Sequence, residues 1–278
     1  MTEKQFSSEE IEEINGRRVP CIGTFIHPFR IVNNSETGPW ETTIDQINSH
    51  SWDYVALHEM IGGIDVGLAT PYHLVVCRDG GIAVPPIEEL RDENAVVTFF
   101  NQTLAALLLG GVYCEAITLD DIAFGSIIDW KYVRIRGQSQ SYSTRFHDLL
   151  RSQRASPLEA IALEEPRSID FETIRVAITK GKAILDKTPQ LGGEFLLRGV
   201  TGVARRDWGS ALANLWIAIE QLTSYLWQEN IISLAKEEAV FGSRIDQLND
   251  NRTWTISCLL YTSPSPRDRT RSRMPSSA

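Results

Sequence analysis

The sequence predicts an α+β protein: a mixed α/β domain in the N-terminal half, then an α-helical bundle that is cut short. Three observations carry this prediction. Residues 72–84 hold two β-rich runs around an Asp-Gly turn. From Ser168 the apolar spacing changes to a helical one. Arg205–Trp227, RRDWGSALANLWIAIEQLTSYLW, is the longest and most regular apolar pattern in the 278-residue chain.

Taken in order, residues 1–18 read as a peripheral segment, acidic and without a hydrophobic signal core. The α/β domain spans 19–136. Val19–Ile26 is its first strand, ended by His27-Pro28. Residues 33–39 have loop composition, and 40–47 suit a short helix. Residues 51–63 suit a strand at Tyr54–Leu57 and a turn at Gly62-Gly63. Tyr72–Cys77 and Ile82–Val84 flank Arg78-Asp79-Gly80-Gly81 as a hairpin. Glu93–Leu109 is a helix with Asp92 as its cap. Val96, Phe100, Leu104, Leu107 and Leu108 share one face, and Gly110-Gly111 form its stop. Tyr113–Thr118 and Ile127–Arg136 read as strands.

Residues 137–167 read as a linker or exposed arm, rich in serine and arginine. They hold Arg145, Arg151 and Arg154, candidates for contact with nucleic-acid phosphates, with a solvated arm as the alternative. The helical domain covers 168–257. Asp170 caps a helix that places Phe171, Ile174, Ile178 and Leu185 on one side. Phe195–Val203 follows. In the third helix, capped by Asp207, Trp208, Leu212, Leu215, Ile219, Leu222 and Leu226 recur at alternating steps of four and three. That spacing puts all six on one face, as in a helix packed into a bundle. Trp216, Glu220 and Trp227 lie on a flank. Glu220 is a carboxylate with two readings: a structural group bonded to a neighbour or reaching solvent, or a polar member of a site between helices. Ile231–Leu248 is the fourth helical segment.

The segment 258–278 stands apart. Cys258–Asp268 (CLLYTSPSPRD) and Ser272–Ala278 (SRMPSSA) resemble translations of the two constant parts of a transposon-type sequencing adapter, with Arg269–Arg271 at the place of the variable index. Such a scar is excluded from fold reasoning, so the native sequence is expected to stop near Ser257 with its true C-terminus missing. The tail holds four of the 27 basic and one of the 36 acidic residues. The rest, with 23 and 35, has a formal net charge of −12 instead of −9. An acidic body argues against general electrostatic attraction to nucleic acid. No apolar run is long enough for a membrane span, and a cytoplasmic protein is expected. Cys21, Cys77 and Cys114 read as reduced core residues.

No complete catalytic or metal motif is present. The glycine pairs belong to no phosphate-binding loop. None of the five histidines sits in HExxH or pairs with a cysteine at ligand spacing, and GxSxG is absent. His73 or Asp120 could anchor a small-molecule site, and Asp120-Asp121 could meet a cation, although a solvated loop is the simpler reading. No cofactor or metal is expected.

From Phe171 to Ser257 the helical region resembles the HEPN superfamily. The residues that carry this are Ala211–Leu222 (ALANLWIAIEQL), the preceding Asp207 and the following arginine-containing helix around Arg244. An α/β domain before the helices is similar to the arrangement of ApeA-like defence proteins. The resemblance implies an RNA-directed protein of a defence or stress system, with RNA and a second copy of the chain as partners. Active members are metal-independent ribonucleases carrying Arg-x(4–6)-His, assisted by a polar residue on another helix. Here Glu220 matches the assisting residue by helix position, and no arginine has a histidine at that spacing. The missing motif would lie beyond Trp254, so this chain is expected to be inactive. The alternative is a non-catalytic ligand-sensing or protein-interaction module that dimerises through its helices.

Overall fold

The computed structural model describes residues 18–29, 31–33, 59–68, 73–87, 90, 92–137, 155–156, 162–163, 167–188, 190–238 and 242–250. The expected helix at 40–47, the strand at 54–57, Arg145, Arg151, Arg154 and everything from 251 onward lie outside the described residues.

The fold is α+β: an antiparallel sheet in the N-terminal half and helices in the C-terminal half. The sheet is built from β1 (Val19–Phe25), β3 (Met60–Ile64), β4 (Leu74–Cys77), β5 (Gly81–Val84), β6 (Ala123–Ile128) and β7 (Tyr132–Gly137), in the order β3-β4-β5-β1-β6-β7. The hairpin read from Arg78–Gly81 is β4–β5, with Gly80 at φ 76°. All four residues of β4 and of β5 are buried. Alternation splits them between the two faces. Leu74, Val76, Ile82 and Val84 join Ile22 on one side, and Val75, Cys77 and Ala83 join Cys21 and Ile127 on the other. With both faces covered, these strands read as continuous apolar runs.

Helix α1 (Glu93–Leu109) lies on the first face. Asp92 Oδ2 accepts from Ala95 N at 3.2 Å, and Gly111, at φ 99°, ends the helix. Val96, Phe100, Leu104 and Leu107 are buried as expected, while Leu108 is only partly covered. Strands β2 (Ile31–Asn33) and β10 (Ser168–Asp170) pair in parallel, and a small antiparallel pair joins β8 (Ala155–Ser156) to β9 (Ala162–Leu163). Then come α2 (Phe171–Leu185), α3 (Gln190–Arg205) and α4 (Trp208–Trp227). Asp170 and Asp207 cap α2 and α4 through Thr173 N and Ser210 N, each at 3.2 Å. A π-helical turn at Gln228–Ile232 leads into α5 (Ser233–Glu237), and α6 (Gly242–Leu248) folds back on Trp227. Ile174, Ile178 and Leu197 belong to the same core as the sheet and α1, so one core joins the sheet to α2 and α3.

Three local expectations are corrected. Gly62-Gly63 lie within β3 rather than in a turn, and the ring of Phe171 packs where a Gly62 side chain would stand. Ile127–Arg136 is not one strand. It spans the end of β6, the hairpin turn, where Asp129 and Trp130 both take φ 51°, and most of β7. Tyr113–Thr118 forms no strand. Its backbone is held largely by side chains: Ala116 N donates to Thr201 Oγ1 at 2.7 Å, Ile117 N to Asn101 Oδ1 at 2.9 Å, and Asn101 Nδ2 to Ile117 O at 3.0 Å, while Glu115 N donates to His27 O at 3.2 Å. Buried backbone groups need partners, and here helix side chains replace a ladder.

Candidate functional site

The helical hairpin α3–α4 turns at Arg206, which takes φ 60°, and Asp207. The two helices meet through small residues. A side chain on Gly202 would stand 2.9–3.0 Å from Ala211, and Leu215 packs against Gly199. Ala211 is buried, and Ala218 and Gln221 are half-buried on the same flank. The apolar stripe lies roughly a quarter turn away around the helix. Trp208, Leu212, Ile219, Leu222 and Leu226, together with Trp216, are 43–71% exposed. Only Leu215 of the stripe is half-buried. The stripe read from the periodicity is thus largely uncovered in this chain, whose bundle is expected to be cut short. Glycines in α3 draw the small-residue flank of α4 inward, and the large side chains are left outside.

Glu220 is exposed at the edge of this stripe, near Trp216. Trp227, expected on the same flank, is buried instead. Its Nε1 donates to Leu248 O at 3.1 Å, and Ile232, Ile245 and Leu248 close around it. The two indoles therefore do not form a pair around the carboxylate. Within Trp208–Trp227, Glu220 is the sole charged residue.

A second polar grouping sits where the 113–118 segment meets α3. The Glu115 carboxylate is buried, accepts from Tyr113 OH at 3.0 Å and lies 3.5 Å from Arg205 Nε. Thr201, one turn before Arg205, accepts from Ala116 and donates to Leu197 O. These contacts anchor α3 to the sheet half.

A third feature is a cavity of about 210 Å³ between α1 and α2. The two helices cross tightly at Ala106 and Gly110 against Ala177 and Gly181, where added side chains would strike the opposite backbone. The cavity adjoins that crossing, with Ala106 in both. Phe99 and Thr103 of α1, Ile178 and Leu185 of α2, and Val66 after β3 line the opening, with Lys182 and Asp186 on the same helix of the wall. The sequence reading missed this place. Its one signal was the Lys182/Asp186 pair, a turn apart beside the apolar face of α2.

The other candidates give no site. His73 is exposed, and its Cβ packs near Gly63. Asp120 is exposed, and Asp121 Oδ2 already accepts from Thr118 N at 2.7 Å and Thr118 Oγ1 at 2.9 Å. Among the described residues, no three His, Cys, Asp or Glu side chains are placed to hold a metal. Cys21, Cys77 and Cys114 are free and buried. Burial pushes the Cys21 thiol up to about 12 and Cys77 well above the ordinary range, with the Asp79 charge adding to the latter. Cys114 is raised by burial and by Glu115. Such thiols are poor nucleophiles. Among the described residues no helix is long and apolar enough to cross a membrane. No family model, curated protein or solved structure matches the chain.

Proposed function

We propose that the chain is a non-catalytic protein-interaction module that self-associates, two copies meeting through α4. The exposed stripe carries this reading. Six large apolar side chains leave on the order of 600 Å² open, the upper end for a monomer surface and close to one side of a standard interface. The stripe also suits a two-fold contact. Its spacing of 4-3-4-3-4 is symmetric about Ile217. An antiparallel copy sets Trp208 against Leu226, Leu212 against Leu222 and Leu215 against Ile219. It sets Glu220 opposite Asn214, so like charges do not meet. A contact of this kind is self-complementary, as a two-fold dimer requires. Sedimentation velocity on the full chain tests it. The expected result is a dimer that dissociates on dilution, and a monomer of unchanged helicity for Leu212→Glu with Ile219→Asp. A wild-type chain that stays monomeric at every concentration, or forms only polydisperse aggregates, overturns it.

The second reading, an RNA-directed protein of HEPN type, draws on the resemblance and on the exposed carboxylate of Glu220 beside Trp216. It predicts RNA binding without cleavage by this chain, and measurable cleavage contradicts it.

A further inference from the structure

We propose that the cavity between α1 and α2 binds a small apolar amino acid in its zwitterionic form. This goes beyond self-association through α4 and does not rest on it. The cavity adjoins the place where the helices are pinned together at Ala106/Gly181 and Gly110/Ala177, and Ala106 belongs to both. Its body is mainly apolar: Phe99, Val66, Ala106, Ile178 and Leu185 line the space, Thr103 spends its hydroxyl proton on Phe99 O at 3.0 Å, and the exposed Gln102 adds a neutral amide at the edge. About 210 Å³ is below the usual range of drug-sized pockets and suits a small metabolite.

The polar groups of the wall choose the class. Lys182 is half-buried, with its Nζ folded against Gly67. Asp186 is exposed one turn further along α2. Among the described residues neither side chain has a hydrogen bond or ion pair, and they do not pair with each other. Asp186 is the C-cap residue of α2. A negative charge there is unfavourable beside the helix C-terminus, so helix stability does not account for it. An unpaired ammonium and an unpaired carboxylate at the rim of an apolar cavity match a ligand with the reverse arrangement. The ligand carboxylate meets Lys182, its ammonium meets Asp186, and its side chain enters between Phe99 and Leu185. A fatty acid or an amine uses only one of the two charges.

Isothermal titration of the full chain with L-leucine, L-valine and L-phenylalanine tests the proposal. At least one is expected to bind saturably at a single site. The carboxylate-only analogue 4-methylpentanoate and the amine-only analogue 3-methylbutylamine are expected to bind at least roughly tenfold more weakly than L-leucine, as is L-leucine to Lys182→Met or Asp186→Asn, because each loses one charge-assisted contact. Thr103→Leu fills the cavity and is expected to abolish binding. Melting curves and circular dichroism confirm that the variants are folded. Absence of saturable binding by all three amino acids overturns the proposal. So does equal binding of either analogue, or binding unchanged by both charge substitutions. Leu212→Glu is expected to bind as wild type, so failure here and failure of self-association are told apart.

Discussion

Helices α1 and α4 look alike in sequence and end up in opposite environments. Both start at an aspartate that caps the first turn, both run for five turns or so without proline, and both carry an apolar face. In α1 that face is buried, with Phe100, Leu104 and Leu107 at or below 1% exposure. In α4 the corresponding face is open. The difference lies in the neighbours. Helix α1 is held between the sheet and α2, and its polar Asn101 is buried and bonded to Ile117 on both sides of its amide. Among the described residues, helix α4 packs on α3 around Ala211 and Leu215, and its last residue, Trp227, bonds to the end of α6. An amphipathic pattern states that a face is to be covered. It does not state by what.

Paired substitutions sharpen or break this comparison. Leu104→Ala on α1 removes a core side chain and is expected to cost about 2–5 kcal/mol in chemical denaturation. Leu212→Ala on α4, measured at a concentration where the chain is monomeric, is expected to change stability by no more than about 0.5 kcal/mol. Equal losses would mean that the α4 stripe is covered within one chain. The asparagines give the next contrast. Asn101→Ala strands the buried N–H and C=O of Ile117 and is expected to cost roughly 1–3 kcal/mol. Asn214 is half-buried and donates only to Ser210 within its own helix, so Asn214→Ala is expected to be near neutral. The last comparison is of a feature that the helices share. Asp92→Ala and Asp207→Ala each remove a cap and are expected to cost about 1 kcal/mol. If Asp207→Ala has no effect on the melt while Asp92→Ala does, α4 unfolds independently of the core.

Local signals were legible where local chemistry decides. The bounds of α1, the three aspartate caps, the β4–β5 hairpin and the apolar face of α2 follow from turn residues, capping and periodicity. The misreadings share a cause in partners distant along the chain. Gly62 reads as a turn residue until Phe171 is seen lying over it. Tyr113–Thr118 has β-like composition, but Asn101 and Thr201 occupy the groups a neighbouring strand would need. The exposure of the α4 stripe depends on glycines in α3, and the cavity depends on where two helices cross. Neither is written in the periodicity of any single helix. Periodicity puts Glu220 on a flank with Trp216 and Trp227, but it does not show that Trp227 turns inward to Leu248.

The side-chain tethering of residues 113–118 has a consequence for hydrogen exchange. The amides of Ala116 and Ile117 belong to no ladder, yet each is locked by a buried acceptor from a different helix. Their exchange rates become separate clocks. Ala116 exchanges when α3 lifts from the sheet half, and Ile117 when α1 does. A ligand or partner that steadies one helix alone slows one amide and leaves its neighbour unchanged, so two adjacent residues resolve motions of two different parts of the molecule.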